Sequence, residues 1–232
     1  MKEKIININI VNITAIALTI ITVLGFSLLF IEMTNIQSAN EIKNSFSLVS
    51  FIVGLLLGFP LHELIHGLCF AIYAKKGFKS IKYGAIWKLG VLYCHCKEAF
   101  IVRELRLVLI MPAVLLGFIP VIIAFIIGNY TLLLIGSIMI GGSSGDFVTF
   151  WETLKLNKNT RIIELPHKVG FYYDDDSIED FDLETQLKSI QINDSEKNNQ
   201  SMKFNKTLIV GSIVMFLCGV LSVIALKMLG VF

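Results

Sequence analysis

The chain has 232 residues, 55% of them hydrophobic and 16% charged, with a formal net charge of +2. Soluble domains carry about 25% charged residues, so this composition, with a mean hydropathy of +0.73, excludes an ordinary soluble domain and describes an integral membrane protein. The small net charge, with no basic stripe interleaved with aromatics, excludes a nucleic-acid partner, and the four cysteines (Cys69, Cys94, Cys96, Cys218) do not form a disulfide framework.

Five apolar runs are long enough, or nearly so, to cross about 30 Å of hydrocarbon. The first, 8–31, follows Lys2 and Lys4 and is too long for a signal-peptide core, so it is read as retained. The second is 46–73. Within it, Gly54 and Gly58 form a small-xxx-small pair suited to helix packing, and Pro60 is positioned to kink or open the helix. The third, 107–127, carries Pro112 and Pro120 as expected kinks. The fourth and fifth are 131–151 and 205–229.

The connections between these runs set the orientation. Between runs one and two there is only Lys43, whereas Lys75 to Arg106 and Lys155 to Lys206 are rich in basic residues. The positive-inside rule then puts the N-terminus, the second connection and the fourth connection in the cytoplasm. From Ile81 to Cys96 apolar residues recur with period two, which predicts one or two strands, with Gly84 and Gly90 as bends. Arg161 to Tyr173 is a second strand-like piece, followed by an acidic run, Asp174 to Gln200, that cannot form much core. The expected fold is therefore all-α: a single integral membrane domain over 1–232, a polytopic bundle of about five transmembrane helices. It carries a small cytoplasmic β-hairpin-like insertion and a cytoplasmic polar segment over 156–203. The expected location is a bacterial plasma membrane, with the N-terminus cytoplasmic.

The most informative feature is His62-Glu63-Leu64-Ile65-His66 inside the second run. Residues four apart share a helix face, so His62 and His66 can offer two imidazoles to one metal. Glu63, about 100° round, can reach a metal-bound water without being a ligand. An ionisable group at the centre of a membrane helix costs about 2.5–3.5 kcal/mol on insertion scales, so three together ask for a functional reason. The structural alternative is a satisfied polar cluster.

Catalytic zinc takes three protein ligands and keeps one position for water. Depth in the bilayer points to the third. His62 and His66 lie 13 and 9 residues before Lys75, and Asp146 lies 9 residues before Lys155. At 1.5 Å per residue all three sit about 14–20 Å from their cytoplasmic markers. Asp146 also follows Gly141-Gly142-Ser143-Ser144-Gly145, small residues that let the span approach closely or break to aim the carboxylate.

Three rival donors compete with it. Glu152 suits an interfacial helix end. On a strand, Cys94 and Cys96 face opposite to His95, so this trio reads as structural, and His167 reads as a surface histidine. With His62, His66 and Asp146 on Zn2+, Glu63 would act as general base and then as acid toward the leaving amine. The strand-like Ile81–Cys96 stretch would pair with an unwound substrate.

His62-Glu63-Leu64-Ile65-His66-Gly67 late in a membrane span resembles the zincin peptidases of bacterial multi-pass membrane proteins, distant relatives of the site-2 proteases. Cys94-His95-Cys96-Lys97-Glu98 followed by Arg103, Arg106 and Pro112, then Gly145-Asp146, then Pro166-His167-Lys168-Val169-Gly170-Phe171 extend the likeness over about Phe51 to Phe171. The resemblance implies a zinc-dependent intramembrane endopeptidase with His62, His66 and Asp146 as ligands and Glu63 as catalytic acid/base. Its substrates would be membrane-embedded or membrane-anchored polypeptides. The alternative function is a metal-binding or partner-binding membrane protein without catalysis, which would not need Glu63.

Overall fold

The computed structural model describes residues 2–34, 44–86, 91–165 and 169–174. Among these, three helices are long and apolar enough to cross a membrane, or four if one bent pair is a single span. The expected fifth run, 205–229, lies outside the described residues, as does all of the polar segment beyond 174.

Helix α1 (Ile8–Met33) starts at Asn7, whose side chain accepts from the backbone N–H of Asn9 at 2.9 Å. It is apolar on all sides, but the face it buries is not its greasiest. Ala15, Thr19, Thr22, Val23, Ser27 and Phe30 turn inward, while Ile13, Ile21 and Leu28 are exposed. That division suits a lipid solvent. Between membrane helices close backbone approach and hydrogen bonds drive association, and leucine-rich faces do equally well in lipid.

The face is used accordingly. Thr22 Oγ1 donates to the Ser137 carbonyl at 3.0 Å, and Tyr130 Oη donates to Ser27 Oγ at 3.0 Å. Both partners belong to α4 (Tyr130–Gly142), which is buried almost all round and forms the centre of the bundle. Where α1 and α4 cross most tightly, a β-carbon at Gly141 would collide with Thr19 Oγ1 and lie 3.0 Å from Thr19 Cα. Gly141→Ala is therefore expected to cost about 1–3 kcal/mol, the usual range for overpacking, read as a lower thermal midpoint in detergent. Gly25→Ala, with nothing within 4 Å of the added carbon, should not destabilise.

Helix α2 (Leu48–Tyr73) is capped by Ser47 and runs through Pro60 without a break, so the expected opening there does not occur. Its buried stripe is Phe51, Leu55, Gly58, His62, His66 and Phe70. The spacing of three and four carries a core face onto which the two histidines fall in register. Gly54 meets Ile135, and Gly58 would place a β-carbon 3.0 Å from the Met139 sulfur. The glycine pair thus seats α2 on α4, as expected.

Helix α3 (Val102–Ile127) begins earlier than the predicted 107 because its charged first turn is satisfied locally. Glu104 accepts from the Ile101 N–H, and Arg106 donates to the carbonyls of Thr153 at 2.6 Å and Leu156 at 3.2 Å. Pro112 is followed by one π-helical turn, Ala113–Phe118. Gly128 then turns the chain in the left-handed region, φ +66°, into α4.

The predicted fourth run is two helices. After α4 the chain bends by 44° into α5 (Ser144–Thr153), at the Gly141–Gly145 stretch of small residues.

The β-structure exceeds the expected hairpin. Strands β2 (Ile81–Ile86) and β3 (Val91–Cys96) do form one, with Ile81 opposite Cys96 and Tyr83 opposite Cys94. Gly84 is not a bend. It is a paired β2 residue covered by the Tyr93 ring, and Gly90 lies outside the described residues. A second, antiparallel sheet runs β1–β6–β5–β4, from Lys2–Ile5, Gly170–Asp174, Arg161–Glu164 and Phe100–Ile101. It gathers the N-terminal strand, the approach to α3 and the exit from α5 into one unit. These three segments therefore meet in one sheet at one end of the described helices. A second apolar cluster joins this end to the bundle: Phe70, Cys96, Phe100, Val102, Leu105, Ile162 and Phe171.

Candidate metal centre

His62 and His66 leave the buried face of α2 one turn apart, their ring centroids 4.8 Å from each other. The bend after α4 brings Asp146 to meet them. Because the chain breaks at Ser143 and restarts at Ser144, Asp146 stands in the first turn of α5, where the positive helix end favours a carboxylate. An unbroken span would have placed it mid-helix.

The three residues converge. His62 Nε2 lies 3.1 Å from Asp146 Oδ2, His66 Nε2 lies 3.3 Å from Asp146 Oδ1, and the two Nε2 atoms are 3.1 Å apart. Both histidines are buried, at 9% and 7% exposure.

Zinc fits this arrangement on two counts. A tetrahedral ion with bonds of 2.0–2.1 Å holds its donors about 3.3 Å apart, which matches the three separations. The donors also have too few hydrogens to satisfy one another: Asp146 Oδ2 is buried and receives no aligned hydrogen bond despite its nearness to His62. A cation resolves the deficit, and two imidazoles with one carboxylate leave a fourth position open. Among the described residues this is the one group of three or more such side chains placed to hold a metal.

Glu63 does not join the three converging donors. It is half-buried on the adjacent flank of α2, with its carboxylate against the backbone N–H of Cys94 on β3, and it lies in the electrostatic field of all three ligand residues. The hairpin that presents Cys94 is tied to the end of α2 by Glu98. The Glu98 carboxylate accepts from the backbone N–H groups of Lys75 at 2.7 Å and Lys76 at 3.1 Å, and from Ser80 Oγ. Burial works against its ionisation, but these hydrogen bonds outweigh it and hold the carboxyl below its ordinary value. Sequence reasoning missed this role. The available signal was an acidic residue just after a strand that returns to a helix C-terminus.

The rival donors go elsewhere. Glu152 pairs with Lys4 at 3.0 Å and Lys155 at 2.8 Å. Cys96 is wholly buried in the second apolar cluster. Burial pushes the Cys96 thiol up to about 11 and the Cys94 thiol higher, so both stay protonated near neutral pH. His95 faces Glu164 across 3.6 Å, a partner that sequence periodicity did not reveal. His167 lies outside the described residues. Tyr83 of β2 rests its hydroxyl on Gly67, where a β-carbon would collide with it.

Residues 55–161 match the model of a family described as "Putative zincin peptidase". The matched span holds His62, Glu63, His66 and Asp146 together with the hairpin, and the match points to a metallopeptidase. No curated protein and no solved structure matches the chain.

Proposed function

We propose that the protein is a zinc-dependent intramembrane endopeptidase that hydrolyses peptide bonds of membrane-embedded or membrane-anchored polypeptides. The observation that carries this reading is the meeting of His62, His66 and Asp146 with Glu63 beside them but apart from the donor set. A metal carrier or a partner-binding bundle would have no use for a carboxylate so placed.

His62 Nε2, His66 Nε2 and the Asp146 carboxylate would hold the ion. Zinc in such a site polarises a carbonyl and makes water a nucleophile near neutral pH. The Glu63 carboxylate takes the proton released as water adds to the scissile carbonyl, then delivers it to the amine nitrogen as the C–N bond breaks. Cys94 N–H on β3 lies on the same flank as that carboxylate. The hairpin beside the site offers β2 as an edge on which an unwound substrate segment can lie as an added strand. The sheet-bearing end faces the cytoplasm on this reading, because the basic connections lie there, and a bacterial plasma membrane is the setting.

Metal removal tests the proposal. Full-length protein purified in detergent should carry about one zinc per chain. Stripping it with 1,10-phenanthroline should abolish cleavage of a fluorogenic hydrophobic peptide pool, and added zinc should restore it. Cleavage that persists in metal-free protein would refute the assignment.

A further inference from the structure

Tyr83 is absorbed by none of the roles above, yet it stands at the centre. It lies on β2 opposite Cys94, whose backbone N–H stands near the Glu63 carboxylate. Its hydroxyl rests on Gly67, which adjoins His66 and shares the Glu63 face of α2 four residues on. So close is the approach that only glycine fits beneath it. Among the described residues the hydroxyl has no hydrogen-bond partner, and its polar neighbours are Cys94 and Glu63. Burial first, then those two neighbours, push the phenol above its ordinary value, so it remains a donor at neutral pH. The residue is still 46% exposed, so an incoming chain has access to it.

We propose that Tyr83 is a further catalytic residue, its O–H donating to the oxygen of the scissile carbonyl as that oxygen gains negative charge. The proposal rests on the peptidase reading. Donors aimed at a developing oxyanion act mainly on the transition state, because the ground-state carbonyl carries less charge. The position also accounts for Gly67: any side chain there would push the phenol off the Glu63 flank.

The test uses full-length, zinc-loaded protein and one fluorogenic peptide, chosen because wild type cleaves it and Glu63→Gln does not. A phosphinic analogue of that peptide, which carries a tetrahedral anion where the oxyanion forms, supplies a readout apart from turnover. Tyr83→Phe keeps the ring over Gly67 and removes only the donor. Its zinc content should stay at about one per chain and its KM within about threefold. Its kcat should fall about 10²–10³-fold, the range for loss of one oxyanion donor, and phosphinic affinity should weaken by a similar factor. Unchanged kcat and phosphinic affinity would overturn the role, as would a loss confined to KM or zinc content. If no peptide separates wild type from Glu63→Gln, the peptidase reading falls first and the Tyr83 role with it.

Discussion

Glu63→Gln is expected to lower peptide cleavage about 10²–10⁴-fold, the span usual for a positioned general base, while zinc content stays at about one per chain. The two halves of that result have separate causes. On the proposed reading metal binding would use His62, His66 and Asp146, whose nitrogen and oxygen atoms lie 3.1–3.3 Å from one another without Glu63. Proton transfer needs a group that can accept and release a proton, and an amide can do neither. Glutamine keeps the length and shape of the side chain and an oxygen that can face the Cys94 N–H, so the packing against the hairpin should survive and the loss should be chemical. Inductively coupled plasma mass spectrometry on purified protein, beside a cleavage assay, reads both halves. Turnover that survives in Glu63→Gln would rule out the assigned base. Loss of zinc alongside turnover would instead make Glu63 part of the metal site.

Asp146→Ala is expected to reduce zinc affinity by more than the 10–100-fold typical of outer-shell partners, with cleavage lost in parallel. Two imidazoles one helical turn apart remain, but the site falls below the three donors that catalytic zinc requires. The helices should persist. The bend that aims Asp146 is set by the packing of Gly141 on Thr19 and of α4 inside the bundle, which do not depend on the carboxylate. Titration of metal-free protein with zinc, with far-ultraviolet circular dichroism as the check on fold, tests this directly. Glu152→Ala should leave the zinc isotherm unchanged, because Glu152 is engaged with Lys4 and Lys155. Equal zinc affinity in Asp146→Ala and wild type would remove α5 from the metal centre.

The two substitutions also separate the competing functions. A protein that binds metal without catalysis would lose its property with Asp146 and keep it with Glu63 changed.

Much of this site could be read from local sequence, for physical reasons. Two histidines four residues apart share a helix face wherever a helix forms, and a long apolar run forms one in lipid because no other structure satisfies its backbone there. The matching depth of Asp146 followed from a rise of 1.5 Å per residue. The strands of the hairpin showed in the alternation from Ile81 to Cys96, since successive strand residues face opposite ways.

What the sequence withheld was everything that depends on distant partners. Lys2–Ile5 pairs with Gly170–Asp174 across most of the described chain, and four residues of strand carry no signal of a partner that far away. Gly84 read as a bend because the Tyr93 ring that covers it is visible only once the hairpin closes. The break at Ser143 was one of two options that small residues permit, and the packing of α4 against three neighbours selected it. Tyr83 over Gly67 belongs to the same class. Periodicity determined which residues share a face, and only tertiary packing decided which face meets which, because that choice is made by long-range contacts between elements whose local patterns allow several.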